Sequence, residues 1–272
     1  MTRGILIFAF SNTQIDYLEQ ANWVADRVNT YLNLPVTIVT NSSSLGDKII
    51  THNLVITDAM TGGMRNFDHL SDDRTDNWFN ANRFQSYELS PYDETIVIDS
   101  DYVVNSDQLL KVFGSKHDVL CHRDVYDITL RGAFKPFYDF GQHKFPHYWA
   151  TVLYFKKTIF SKQLFDVMKM IQDNYKHYAD LYKFRTTPFR NDYVISISLS
   201  IMHGHRLNNI PTIPWKIPTA STDVDLKQLS DTKFEISYKK YINHKEKPCR
   251  AILDGTDFHF LNKFALYEVI ND

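Results

Sequence analysis

The feature that most constrains this chain is an alternation near its start. "GILIFAF" is a continuous apolar run, and Ser11 to Leu32 follows with Ile15, Leu18, Ala21, Val24, Ala25, Val28 and Leu32 at helical spacing. A buried strand feeding an amphipathic helix hides both apolar faces only if the helix folds back across the strand. Pro35 then breaks the chain, "VTIVTN" supplies a second β-branched strand, and "NLVITD" a third after a serine-rich turn. Such a series predicts an α/β fold, with a mixed, mostly parallel central sheet covered by helices. With 272 residues, 43% of them hydrophobic, and no obvious linker, a single domain over 1–272 is expected.

The formal charge is only −2 and the pI near 6.6, which argues against a whole-protein electrostatic grip on nucleic acid or an anionic membrane. The run "ILIFAF" is too short for a secretory core or a membrane span, so a cytoplasmic protein is expected. Cys121 and Cys249 form no metal or redox motif and read as free thiols. There is no glycine-rich phosphate loop, no Gly-x-Ser-x-Gly elbow and no thiolate zinc spacing.

Further along, residues 60–91 are polar, and their latter half fits a helix. "SDQLLKVFGS" reads as a short helix with Ser106 as N-cap, and "DVLCH" and "ATVLYF" as strands. "SKQLFDVMKMIQDNYKHYADLYKF" reads as one long amphipathic helix, "RNDYVISISLSIMHG" opens another, and "KFEISYKKYI" alternates like a strand.

The segment "ETIVIDSDYVV" carries the chemistry. A fourth strand, Thr95 to Ile98, leaves the sheet at Asp99-Ser100-Asp101, and the carboxyl ends of parallel strands are where such sheets bind ligands. Two carboxylates at i and i+2 on a rigid strand end present hard oxygen ligands suited to Mg²⁺ or Mn²⁺, and a metal there could hold a diphosphate. The alternative is a turn capped by Asp99 with a solvated Asp101.

In the order of these parts the chain resembles the metal-dependent GT-A glycosyltransferases, particularly the glycogenin-like and lipopolysaccharide-galactosyltransferase-like retaining branch. "GILIFAF" with its helix, "LSPYDETIVIDSDYVV" and "DFHFLNK" carry the resemblance. It implies a nucleotide-binding half over 1–105 and an acceptor-binding half over 106–272 that ends in a metal and diphosphate motif. Asp99 would lie near the ribose or metal, Asp101 would bind the metal, His259 would be a third ligand, and Lys263, four residues on, would face the diphosphate. Phe8, Ala9, Phe10 and Asn12 would contact the nucleotide with Ser11, Ser100 would lie between the carboxylates, and Arg83 would reach the diphosphate or sugar. Asp192 would touch the donor sugar, or act as base if the reaction inverts configuration.

The resemblance therefore implies transfer of a sugar from a nucleotide-diphosphate donor, with a leaning to UDP, to an acceptor hydroxyl, with retention and with Mn²⁺ or Mg²⁺. Two positions depart from that pattern. Trp149-Ala150-Thr151 stands where the family has Asn-Ser-Gly, suggesting an unusual acceptor or donor pocket, and Tyr193 replaces a glutamine after the acid, which puts retention in question.

One basic cluster remains: Lys239, Lys240, His244, Lys245, Lys247 and Arg250, interleaved with Tyr238 and Tyr241. It reads as a solvated charged face or as a polyanion-binding surface that Lys183, Arg185 and Arg190 could extend. The acceptor is thus left open between a glycan, another hydroxyl compound and a modified base in DNA. A non-catalytic nucleic-acid or glycan-binding module on the same scaffold is the rival outside enzymology, and a nucleotidyltransferase the rival within it.

Overall fold

The computed structural model describes residues 1–66, 75–134, 138–184, 189–206, 210–242 and 245–272. At its centre is a six-stranded sheet ordered Asn53–Ile56, Val36–Thr40, Arg3–Phe8, Glu94–Ile98, Trp149–Lys156 and Val119–His122. The first four strands run parallel, and Trp149–Lys156 is antiparallel to both its neighbours, so the sheet is mixed and mostly parallel as the alternation predicts. Arg3–Phe8 and Glu94–Ile98 are buried on both faces apart from Arg3, which is why they read as unbroken apolar runs. One face packs Ile5, Ile7, Ile96 and Ile98 under the helix Tyr17–Leu32, and the other packs Leu6, Phe8, Val97 and Phe155 under the helices Ile159–Asp173 and Asn191–Met202.

A second sheet, ordered Tyr102–Val103, Phe258–Phe260, Ile217–Ala220 and Val125–Asp127, sits beyond the carboxyl end of the first. A third consists of Asp225–Gln228 and the long hairpin Lys233–Ile242 with Lys245–Asp254. Among the described residues, no helix is long and apolar enough to cross a membrane.

Local hydrogen bonds explain where elements differ from the sequence expectation. The first helix begins at Tyr17 rather than Ser11, because Asn12 Oδ1 accepts from the N–H groups of Gln14 and Ile15 and winds a turn that Asp16 then caps. The long helix after Thr158 is broken in two at Asn174, whose side chain donates to Met170 O at 2.9 Å and competes with the backbone. "SDQLLKVFGS" forms only a 3₁₀ turn, Gln108–Val112, since Ser106 Oγ donates to Asp257 while accepting from Gln108 N–H. The latter half of residues 60–91 holds two short turns of helix, Arg83–Gln85 and Ser86–Leu89.

Gly4 has no room for a side chain: a Cβ there would fall 2.4 Å from the ring of Tyr92, whose hydroxyl is hydrogen-bonded to Thr37 at 2.8 Å. Gly4→Ala is therefore expected to destabilise the protein by about 1–3 kcal/mol through overpacking. An unchanged urea midpoint in that variant would show that the Tyr92 ring yields freely.

Candidate active site

The cavity at the carboxyl end of the central strands has a volume of about 320 Å³, at the small end of ligand pockets. Its floor is the turn that follows Glu94–Ile98. Asp99 N–H donates to Thr151 O and Tyr102 N–H to Asp99 O, both at 3.1 Å, so the carboxylate turn is pinned to the neighbouring strand. The chain then enters Tyr102–Val103, which pairs antiparallel with Phe258–Phe260 in a register that sets His259 opposite Tyr102. Phe260 N–H also donates to Asp101 O. That ladder brings "DFHFLNK" to the Asp pair.

Buried Asp101 is met from two sides: Lys263 Nζ donates to Oδ2 at 2.7 Å, and His259 Nε2 lies 3.4 Å from Oδ1. Burial alone would raise the Asp101 carboxyl, but Lys263 and then His259 outweigh it and hold it well below the usual carboxylate range. Asp99 goes the other way. Burial, helped by the charge of Asp101, raises it despite its ion pair with Arg83. His259 lies in a strand and Lys263 opens the last helix, Lys263–Asn271, so the two do not share a helical face as a four-residue spacing suggests; they converge because the chain turns at Asn262, which caps that helix. Oxygen and nitrogen atoms of Asp99, Asp101 and His259 lie within 4.8 Å of one another. Two carboxylates and one imidazole fit Mn²⁺ or Mg²⁺ by donor type.

Across the cavity stands Asp192, in the first turn of Asn191–Met202. Its Oδ1 accepts from Ala150 N–H at 2.9 Å and its Oδ2 from Arg190 Nη2 at 2.9 Å. Burial opposes ionisation, but Arg190, His147 and the Ala150 N–H prevail and hold the Asp192 carboxyl at about 2. Ser100 and Trp149 also line the cavity. Trp149 packs edge-on against Phe134 and His147, so the departure from Asn-Ser-Gly places an aromatic wall in the cavity. Tyr193 is turned away into a cluster with Phe140 and Phe184, as a residue following the helix's cavity-facing position must be.

Other candidate residues lie elsewhere. Phe8, Ala9 and Phe10 are wholly buried and do not line the cavity: in this structure the two rings are core. Arg83, also buried, pairs with Asp99 behind the cavity wall with Phe8 beneath it. Asn12 lines a smaller neighbouring cavity that shares Lys263.

Residues that sequence reasoning missed come mostly from the polar segment: Arg65, Trp78 and Asn80 line the cavity, with Tyr17 from the start of the first helix and Thr222 from the loop after Ile217–Ala220. Arg65 lies 3.6 Å from the Trp78 ring centroid. Gly62 permits this, since a Cβ there would fall 2.2 Å from the Trp78 ring. A tryptophan, Trp78, in an otherwise polar stretch was the available signal.

The basic cluster projects on the hairpin, where carboxylates interleave with it. Lys239 pairs with Glu246 and Arg250 with Glu235, each at 3.5 Å, and Arg131 with Asp223 at 2.6 Å. These residues, except Glu235, line a second cavity of about 1090 Å³ that shares Thr222 with the first, and Arg190 belongs to the first. The polyanion surface is not supported by this pairing. Arg185 and His244 lie outside the described residues.

No protein-family model and no curated protein sequence matches the chain. Several solved glycosyltransferase structures are similar to it. GlyE of Streptococcus pneumoniae TIGR4 aligns with a TM-score of 0.42 and 10% identity over 79% of this chain and 46% of that one. The galactosyltransferase LgtC, solved with donor and acceptor sugar analogues, gives 0.45 and 12% over 72% and 70%. Mouse xyloside xylosyltransferase 1 gives 0.43 and 11% over 78% and 84%. The chain spans about half the length of the GlyE chain.

Asp192 generates a pH prediction. Its carboxyl falls from an ordinary 3.8 to about 2 on folding, so its contribution, on the order of 2 kcal/mol, is fully present above about 4 and drains away as pH falls towards 2. The stability gap between the parent and Asp192→Asn, read from urea midpoints, should shrink as pH is lowered from 5 towards 2.5. A gap independent of pH would rule out the ionised, paired state.

Proposed function

We propose that this protein is a glycosyltransferase that moves a sugar from a nucleotide-diphosphate donor, a UDP-sugar being the first candidate, to an acceptor hydroxyl. The observation that carries this reading is the convergence of Asp99 and Asp101 with His259 and Lys263, from a segment about 160 residues further along, at the carboxyl end of the parallel strands. Asp99, Asp101 and His259 would hold a divalent cation, which when bound would supply Lewis-acid stabilisation to the leaving diphosphate. Lys263 places an ammonium where that diphosphate would develop charge.

Asp192 fits the sugar end of the donor. Both its oxygens already accept hydrogen bonds and it is held at about 2, so it is a poor general base and a good fixed negative charge beside a cationic sugar transition state. This favours retention. The bond from the anomeric carbon to the diphosphate oxygen breaks with its electron pair going to the diphosphate. The acceptor oxygen bonds to the same face of that carbon, and its proton passes to the departing diphosphate. Trp149 and Phe134 would cover the sugar and exclude water. The tyrosine-lined second cavity, which shares Thr222 with the first, offers the place for an acceptor glycan.

A thermal-shift panel of nucleotide-sugars with and without Mn²⁺ tests this. A donor at about 100 times its Kd should add roughly 2.7 kcal/mol, and only with the metal. Asp101→Asn should fold, judged by its circular dichroism, and lose that shift together with at least about a hundredfold in transfer. Turnover equal to the parent's in Asp101→Asn would sink the proposal, and Lys263→Met should weaken binding of UDP alone.

A further inference from the structure

The charged groups around the cavity pair off, with one exception. Asp101 has Lys263, Asp99 has Arg83 and Asp192 has Arg190. Arg65 has none of these: among the described residues no carboxylate lies within ion-pair distance of it. Its guanidinium rests on Trp78, gives Nη2 to Phe189 O, and leaves a buried Nε with no hydrogen-bond partner. It also lies near enough to Arg190 for the two charges to repel, with Asp192, the partner of Arg190, the carboxylate that acts most strongly on it. Two guanidiniums and one carboxylate in a partly enclosed cavity form an arrangement that a further anion would relieve.

The planar fork of arginine matches a carboxylate. Arg65 and Arg190 line the same cavity as the Asp99–Asp101 turn, Tyr17 and Trp149, and its small volume suits the sugar end of a donor rather than a length of glycan. We propose that Arg65, beside Arg190, receives a carboxylate carried by the transferred sugar, so that the donor is a nucleotide-linked uronic acid. This rests on the glycosyltransferase reading above, and it deepens that reading by naming the substrate class. Arg83 is paired with Asp99, and Lys263 sits on Asp101 at the diphosphate end of the proposed donor site, so neither serves the sugar's carboxylate.

Calorimetric titration in the presence of Mn²⁺ tests the inference. The parent, Arg65→Met and Arg65→Lys are each titrated with UDP, with UDP-glucose and UDP-glucuronate, and with UDP-galactose and UDP-galacturonate. In one of the two sugar pairs the parent should prefer the uronate by roughly tenfold or more, the size expected of a hydrogen bond between charged groups. Arg65→Met, which keeps an apolar stem on Trp78, should bring that ratio close to one, and Arg65→Lys should restore part of it. Unliganded melting of both variants checks that they fold.

Equal binding of acidic and neutral donors by the parent would overturn the inference and leave the glycosyltransferase reading intact. So would an Arg65→Met variant that loses as much affinity for UDP as for the uronate donor, because Arg65 would then serve the diphosphate. Failure of every UDP-sugar to bind would remove both readings together.

Discussion

The arrangement of the site depends on one buried contact, the carboxylate of Asp101 held between Lys263 and His259. An isolated carboxylate at that depth is costly, and its two partners come from about 160 residues further along the chain. The contact can form only if the second sheet has brought Phe258–Phe260 alongside Tyr102–Val103. Asp257 reinforces that junction by accepting from Asn105 N–H at 2.7 Å and Ser106 Oγ at 2.9 Å, fastening the chain after the Asp pair to the chain before the histidine. Charge compensation and strand pairing therefore select the same geometry.

Three carboxylates in one cavity are driven apart in character by their neighbours. Asp101 is lowered by a lysine and a histidine, Asp192 by an arginine, while Asp99 is raised by burial and by its proximity to Asp101. Separation of this kind lets chemically identical side chains do different work. A cation site is best served by the pair at the strand end, and a fixed negative charge for a sugar by the carboxylate whose oxygens are both already engaged. Aromatic walls from Tyr17, Trp78, Phe134 and Trp149 lower the local dielectric and strengthen each of these effects.

Much of the fold was legible because it depends on short-range pattern. The inner parallel strands, Arg3–Phe8, Val36–Thr40 and Glu94–Ile98, are buried on both faces but for Arg3, so their apolar runs and the 3.6-residue spacing of Leu18, Ala21, Val24, Ala25, Val28 and Leu32 are visible without coordinates. The Asp99–Asp101 turn was legible for the same reason, since a rigid strand end announces itself in sequence. What misled was local chemistry that competes with pattern. The Asn12 turn delays the first helix, Asn174 divides another, and Ser106 bonds to Asp257 and does not cap a regular helix. An aromatic residue at a strand end serves a core or a nucleotide contact equally well by type, and in this structure Phe8 and Phe10 are both buried in the core.

By itself the sequence determined the α/β class, the position of the paired carboxylates and the supply of a histidine and a lysine near the far end, all properties of contiguous residues. Only the tertiary structure decided that His259 and Lys263 reach Asp101 from a strand and a helix and not from one helical face. It alone decided that Arg65 and Trp78, from a polar stretch with no periodicity, form a cavity wall, and that Lys239 and Arg250 of the hairpin pair with carboxylates. The physical reason is common to all three: which charges meet depends on strand register and chain reversal over long separations, and no local spacing encodes either.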